Sequence, residues 1–398
     1  MSDKKNILIY EPYPFAKISG NLRTLIYIIS FLDRDKFNII IAVPFKTDLL
    51  NVLKDFDIEI IVIDTPKNLK LFGGKNSNAA FLKKIYTIFS IFSHSLDLIK
   101  LIKKNKIHLI YCNGIKAVSL LGLSSVITRK PILWYVKGKL ENRILDTLAY
   151  FVSSRIVFYS ILNSKDKYPL LQYLFKNKIS IIPTGLDLNE IKIIKNQTND
   201  VICKELDINN KNLNIGFFGQ LYEPKGVHFL IEAVGKVAKE ISNIRLFIVG
   251  DSIISEYGEY SLKLNSIIST NNIEKNVFFT GWRNDALKIM DSMDIIIHPS
   301  LAEGFSRTVL EAMALGKAVI ASGVGGERET IIDGENGFLI KGPNIKEISK
   351  KILLLYKNPI LLNKIGKNAS KTITDKHSIV DKISQLGVLI ENQINKNK

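Results

Sequence analysis

The sequence predicts an α/β protein of two consecutive doubly wound domains, each a parallel sheet covered by helices. Three observations lead there. At 398 residues the chain is too long for one typical core. Short β-branched runs alternate with stretches of helical period in two successive series. Between them, around Asn189 to Asn212, the sequence turns polar and loses its period, as expected of a linker with one helical turn inside it. With 46% hydrophobic and 23% charged residues, the composition supports packed cores and excludes a disordered chain.

In the first series Asn6 to Tyr10, Phe37 to Val43, Ile58 to Ile63, His108 to Cys112, Ile132 to Val136 and Arg155 to Tyr159 read as buried strands, and Gly20 to Leu32 as an amphipathic helix. In the second, Asn214 to Phe218, Arg245 to Val249, Val277 to Thr280, Ile295 to His298, Ala318 to Ala321 and Gly337 to Ile340 read as strands. From Lys346 to about Asn395 the chain is helical and Lys-rich, broken near Asn358-Pro359. The expected division is a first domain over 1–190, a second over 191–375, and a terminal helix over 376–398 that packs back on the first domain. Two doubly wound units imply a cleft, with ligands beyond the carboxyl ends of the strands.

Cys112 and Cys203 lie far apart without metal-ligand spacing, so neither a disulfide framework nor a zinc site is indicated. Ile7 to Tyr10 reads as a first strand, not as a signal-peptide core, and no stretch approaches the roughly 18 apolar residues of a membrane span. The expected location is the cytoplasm. The formal charge of +17 is uneven: residues 1–190 carry 28 Lys and Arg against 15 Asp and Glu, the remainder 27 against 23. Such asymmetry suggests an anionic partner for the first half, be it nucleic acid, an acidic membrane surface or an anionic acceptor; a Lys-rich solvated surface explains it too. Phe81 to Lys104 mixes Phe81, Ile85, Phe89, Phe92 and Leu96 with Lys83, Lys84, Lys100, Lys103 and Lys104. It reads as a basic amphipathic helix able to lie on an anionic bilayer, here the cytoplasmic face of the inner membrane, or as a core-facing helix with a lysine rim.

The densest chemical signal runs from His298 to Gly316. A strand ends at Pro299, a turn holds Gly304, and a helix opens near Ser306 and stops at Gly316, a residue suited to a left-handed cap. The start of that helix offers backbone N–H groups and a positive dipole end to an anion such as a diphosphate. Glu303 and Glu311 stand eight residues apart. Eight helical residues rise about 12 Å, beyond the roughly 5 to 9.5 Å between the carboxylates of a glycoside hydrolase. The spacing suits one carboxylate on sugar hydroxyls and another on a ribose.

These residues, with their trailing Glu-Ala-x-Ala-x-Gly, resemble the signature of glycosyltransferase family 4, the glycosyl transferases group 1, a large retaining family of the two-domain GT-B architecture. Ile181 to Asp187 is similar to that family's turn between domains. Phe218-Gly219-Gln220-Leu221 with Lys225-Gly226 resembles its phosphate loop, and Phe278 to Gly281 its nucleotide-side loop. The match is dense from about Arg155 to Ile340 and loose before it.

The resemblance implies retaining transfer of a sugar, of the hexosyl type, from a nucleotide diphosphate sugar to an acceptor hydroxyl, without metal or cofactor. The acceptor implied is a glycan or a lipid-linked molecule in polysaccharide biosynthesis; no nucleic-acid partner is expected. By position, Glu311 is implied to bind ribose, Glu303 the transferred sugar, and Lys225 the diphosphate. Gly304, Phe305 and Ser306 are implied to meet phosphates and sugar through their backbone, and Gly219 to let the backbone approach. Gly281 and Arg283, with Trp282, are implied to border the base, and Gly20 to face donor and acceptor.

Two positions depart from the family. Gln220 replaces the usual phosphate-loop arginine, and Lys137 stands where many members carry a histidine; Lys137 and Arg307 are the candidates to restore the charge. Asp33-Arg34-Asp35 and Asp55-Phe56-Asp57 spell a metal-binding D-x-D pattern, but each sits at a polar helix end and reads as solvated. His298 reads as a packed or hydrogen-bonded residue more than a catalytic one. The alternatives are a nucleotide-sugar epimerase of the same architecture and an inactive binding scaffold. Retention of Lys225, Glu303 and Glu311 together speaks against the scaffold.

Overall fold

The structure is a computed structural model and describes residues 4–12, 20–45, 49–70, 81–136, 140, 142–162, 168–251 and 257–397. The chain forms two compact units, one of residues 1–183 with 379–398 and one of residues 184–378.

In the first unit β1 (Lys5–Tyr10), α1 (Gly20–Phe31), β2 (Phe37–Val43), α2 (Leu49–Leu53), β3 (Glu59–Val62), α3 (Lys67–Lys70) and α4 (Phe81–Lys104) come first. They are followed by β4 (Ile107–Asn113), α5 (Ile115–Thr128), β5 (Ile132–Val136), α6 (Arg143–Val152), β6 (Arg155–Phe158), α7 (Pro169–Leu174) and β7 (Ile179–Ile181). Among the described residues the strands form a seven-stranded parallel sheet in the order β3-β2-β1-β4-β5-β6-β7. The β-branched runs make such a sheet because both of their faces are covered: Ile39, Ile40 and Ile41 are all buried. The short β7 has no strand expectation behind it; Ile179-Ser180-Ile181 is a half-exposed edge too short to show a period.

Right-handed crossovers place α5, α6 and α7, which step from β4 toward β7, on one face, and α1, which steps back from β1 to β2, on the other. Helix α4 packs against α5 and so belongs to the first layer. Leu98, Leu101 and Ile102 of α4 enter the core while Phe89, Phe92 and Leu96 lie exposed. The side chains of Phe81, Lys83, Lys84 and Ile85 fall outside the described residues.

The second unit opens with α8 (Leu188–Lys195) and α9 (Asp200–Glu205), where the sequence suggested a linker with one turn. Asp187 caps α8 by accepting from the N–H groups of Asn189 at 2.9 Å and Glu190 at 3.3 Å. Ile191 and Ile202 anchor the two helices in the core. At eight and six residues the two helices are too short for a helical period to stand out from the polar residues around them. Then come β8 (Leu213–Phe218), α10 (Val227–Val237), β9 (Ile244–Val249), α11 (Tyr257–Thr270), β10 (Val277–Gly281), α12 (Ala286–Asp291) and β11 (Ile295–His298). The unit closes with α13 (Arg307–Ala314), β12 (Ala318–Ala321), β13 (Phe338–Leu339), α14 (Ile345–Lys357) and α15 (Pro359–Lys376). Among the described residues its sheet has six parallel strands in the order β10-β9-β8-β11-β12-β13.

After α15 the chain breaks at His377-Ser378. His377 Nδ1–H donates to the Thr184 carbonyl at 2.9 Å, and its carbonyl accepts from the Leu186 N–H at 2.8 Å. Helix α16 (Ile379–Lys396) then belongs to the first unit, where it packs on α1. Asn397 Nδ2 donates to the Arg129 carbonyl at 2.6 Å.

Close approach inside the second unit depends on glycine. A Cβ at Gly366 on α15 would stand 2.0 Å from the carbonyl oxygen of Gly316, just past α13. Gly366→Ala is therefore expected to cost about 1 to 3 kcal/mol of stability through overpacking, read as a lower urea midpoint. An unchanged midpoint would show that α15 and α13 approach less closely than described.

Candidate functional site

The second sheet has its switch point between β8 and β11, whose connections leave in opposite directions. These neighbours pair only at Ile295 with Ile215 and Ile296 with Gly216, so their carboxyl ends part before the loops begin. The loops then close over the gap. Leu301 N–H donates to the Pro224 carbonyl at 2.8 Å. Gly226 has φ of 70°, and a Cβ there would stand 2.0 Å from the Pro299 carbonyl oxygen, so only glycine allows this contact.

Lys225 and Glu303 meet across this seam, Nζ donating to Oε2 at 2.6 Å. His298 Nε2 stands 3.2 Å from the same oxygen and 3.1 Å from Ser300 Oγ. Facing a carboxylate, Nε2 carries the ring proton; His298 Nδ1 is buried without a partner. Burial by itself raises the Glu303 carboxyl, but the His298 hydrogen bond and the Lys225 ammonium outweigh it and hold the group at about 2. Glu303 is thus an ionised, acceptor-only group at neutral pH. It lies in the loop before α13, so the loop, not a helical rise, sets its distance from Glu311.

Ser306 caps α13, its Oγ accepting from the Val309 N–H at 3.3 Å, while its carbonyl accepts from Leu310. The positive end of α13 therefore starts three residues beyond Glu303. Arg307 Nε donates to Glu311 Oε1 at 2.9 Å, one helical turn apart and largely buried. Gly304 accepts at its carbonyl from Gly326 N–H at 2.8 Å. A Cβ at Gly325 would stand 2.9 Å from the Glu303 and Gly304 carbonyl oxygens, and one at Gly326 2.1 Å from the Phe305 ring. The loop after β12 thus braces the Glu303 loop, a contact absent from the sequence reading; its signal is the Gly-Gly pair just after a strand.

The loops after β8, β9 and β10 interlock similarly. Gly219 N–H donates to the Val249 carbonyl at 3.0 Å and Gly250 N–H to the Gly281 carbonyl at 2.9 Å. A Cβ at Gly250, where φ is 143°, would stand 1.9 Å from the Gly219 carbonyl oxygen. Beside them a cavity of about 390 Å³, bordered by Leu221, Asp251, Tyr260, Leu264, Phe279 and Thr280, falls in the size range of small-molecule sites.

The structure thus gathers Lys225, Glu303, Gly304, Phe305 and Ser306 at one seam, with Arg307 and Glu311 on the first turns of α13, and sets Gly219 and Gly281 beside the cavity. Gln220 is exposed. Arg283 is held by protein carboxylates, donating to Glu205 at 2.6 and 3.1 Å and to Asp285 at 2.9 and 2.8 Å. Those hydrogen bonds, Glu205 first, raise its pKa further, and they tie the β10 loop to α9. Gly20 opens α1 of the other unit, and Lys137 lies outside the described residues. His298, read from the sequence as packed or hydrogen-bonded, and Ser300, which the sequence did not single out, complete the polar group around Glu303.

Residues 199–372 match the family described as glycosyl transferases group 1. The chain is 26% identical over 344 residues to the capsular polysaccharide biosynthesis glycosyltransferase CapM of Staphylococcus aureus, covering 82% of this chain and 87% of that one. It is 24% identical over 325 residues to the UDP-Gal:alpha-D-GlcNAc-diphosphoundecaprenol alpha-1,3-galactosyltransferase of Escherichia coli, covering 78% and 80% of the two chains. HepE of Anabaena, solved in complex with UDP, superposes with a TM-score of 0.80 at 20% identity over 98% of this chain and 100% of that one, which shows a common fold.

The ion pair makes stability depend on acid. The folded pKa of Glu303, about 2, lies below its ordinary 4.5, so the stabilisation is fully present above pH 4.5 and is lost as pH falls through 2. The shift corresponds to a contribution on the order of 3 kcal/mol. Glu303→Gln is expected to remove that part of the acid limb in denaturation curves taken across this range. An unchanged limb would mean that Glu303 and Lys225 are not paired in solution.

Proposed function

The chain belongs to the glycosyl transferases group 1 through its second unit and has the GT-B fold; from that premise we propose that it is a retaining, metal-independent glycosyltransferase of the hexosyl type. The donor is a nucleotide diphosphate sugar, and the acceptor a hydroxyl of a lipid-linked or surface glycan under assembly. The observation that carries this reading is the meeting of Lys225 with Glu303 at 2.6 Å, next to the start of α13. A diphosphate entering there gains an ammonium and a helix dipole together.

The pairing also suggests how the chain's own residues share the work. Without donor, Lys225 neutralises Glu303 and Arg307 neutralises Glu311, so neither carboxylate is a buried uncompensated charge. In the proposed complex Lys225 turns to the diphosphate, and Glu303, still held by His298, accepts hydrogen bonds from sugar hydroxyls. A carboxyl ionised down to about pH 2 cannot serve as a general acid at neutral pH, which favours a binding role for Glu303 over proton donation. Glu311 takes the ribose hydroxyls, and the cavity beside Gly281 takes the base.

Departure of the diphosphate is then stabilised by preorganised charge, Lys225 and the start of α13. A phosphate oxygen of the leaving group accepts the acceptor's proton as the new bond forms on the face the nucleotide vacates, so no protein nucleophile is needed. Relatives whose names refer to capsular polysaccharide and to diphosphoundecaprenol-linked sugar support the acceptor class. Arg307, at the first position of α13, is the described cation placed to offset the absence of an arginine at Gln220.

Lys225→Ala is expected to lower kcat at least tenfold, since a charge-assisted hydrogen bond contributes about 1.5 to 3 kcal/mol. Steady-state transfer or donor-hydrolysis rates, run after a thermal-shift panel of nucleotide diphosphates and their sugars has found the donor, measure it. Wild-type turnover in that variant would remove Lys225 from the mechanism.

A further inference from the structure

The second unit holds another cavity, of about 400 Å³, between the end of α8, the end of α13 and one side of α15. Its size is that of a small-molecule site, and none of the residues gathered at the Lys225–Glu303 seam borders it. Lys195, the last residue of α8, reaches over Gly316: its Nζ lies 3.8 Å from where a Cβ on that glycine would stand. Lys367, Lys371 and Thr374 follow one another at helical spacing on α15, so they line one wall.

Three exposed ammoniums thus border one concavity, with Asp375 as its one carboxylate. Among the described residues none of the three has an ion-pair partner. The end of α13 does not need them as caps. The carbonyls of Glu311, Ala312 and Met313 accept from the N–H groups of Leu315, Lys317 and Gly316, and that of Ala314 accepts from Ser370 Oγ at 3.0 Å.

The polar groups of the cavity sort by what they can still do. An ammonium only donates. The Ser370 hydroxyl proton is engaged on the Ala314 carbonyl, and the Thr374 hydroxyl donates to the Ser370 carbonyl at 3.0 Å. Toward the cavity both hydroxyls therefore accept, as the Asp375 carboxylate does. A ligand that satisfies both sets carries a multiply charged anion together with hydroxyl groups. Inorganic phosphate answers the cations and leaves the acceptors without donors, a neutral sugar does the reverse, and a metal ion is repelled by the ammoniums.

We infer that this cavity binds a phosphorylated sugar, its phosphate held by Lys195, Lys367 and Lys371 and its hydroxyls by Ser370, Thr374 and Asp375. The site is separate from the donor seam, since α13 starts at the seam and ends at the cavity. Calorimetric titration of the full chain with glucose 6-phosphate, N-acetylglucosamine 6-phosphate and fructose 1,6-bisphosphate tests it, with and without saturating UDP. At least one of them binds under both conditions, and more tightly than inorganic phosphate or glucose. Lys367→Gln/Lys371→Gln, which alters two exposed side chains, weakens that binding about tenfold or more. Its melting temperature and its response to UDP stay as in the wild type.

No binding by any of the three sugar phosphates, or equal binding by the double variant, overturns the inference. So does inorganic phosphate that binds as tightly as they do, which reduces the site to an ion contact. Displacement by UDP overturns it too, because the ligand then occupies the seam. Thermal stabilisation by UDP alone reports on the transferase reading, so either reading can fail without the other.

Discussion

The second unit is organised around one ion pair held where two neighbouring strands part. Lys225 comes from the loop after β8 and Glu303 from the loop after β11, and their 2.6 Å contact closes the seam that the diverging strands leave open. Both side chains are mostly buried, so each compensates the other's charge. His298 fixes the carboxylate from beneath, at the end of β11. A charge pair of this kind leaves neither buried group uncompensated.

Backbone proximity makes that arrangement possible. Gly226 against Pro299, Gly250 against Gly219, and Gly325 and Gly326 against the Glu303 loop are contacts that any Cβ would obstruct. They bring the loops after four adjacent strands, β9, β8, β11 and β12, into one brace. The chemistry-bearing side chains are thus carried on loops whose freedom is removed by their neighbours, which is how a loop site gains the precision of a rigid element. The other unit has the same winding and exposes Ile144, Leu148 and Phe151 of α6 and Leu170, Tyr173 and Leu174 of α7.

Much of this is legible in the residues. The β-branched runs gave their strands within a residue or two because both faces of a parallel sheet are buried and no polar alternation blurs them. The helix from Ser306 to Gly316 was readable from its cap residues alone, and Ser306 does cap while Gly316 does take a positive φ. The two glutamates and Lys225 were recognisable as a set, but only folding shows that Lys225 and Glu303 are each other's partners across 78 residues of chain. His298 looked like packing because a histidine before a proline carries no spacing signal; its meaning comes from the strand end it occupies. Helices α8 and α9 were hidden by their length, eight and six residues, which is too short to display a period. Arg283 illustrates the opposite limit, since nothing in sequence shows that Glu205 and Asp285 engage its fork.

The proposed role of the seam between the β8 and β11 loops is to hold a pyrophosphate. A crystal structure of the protein with the nucleotide diphosphate that stabilises it most tests this directly. Phosphate oxygens are expected about 3 Å from Lys225 Nζ and at the start of α13, with Glu303 released from Lys225. Phosphates bound elsewhere, with the ion pair still closed, would contradict it.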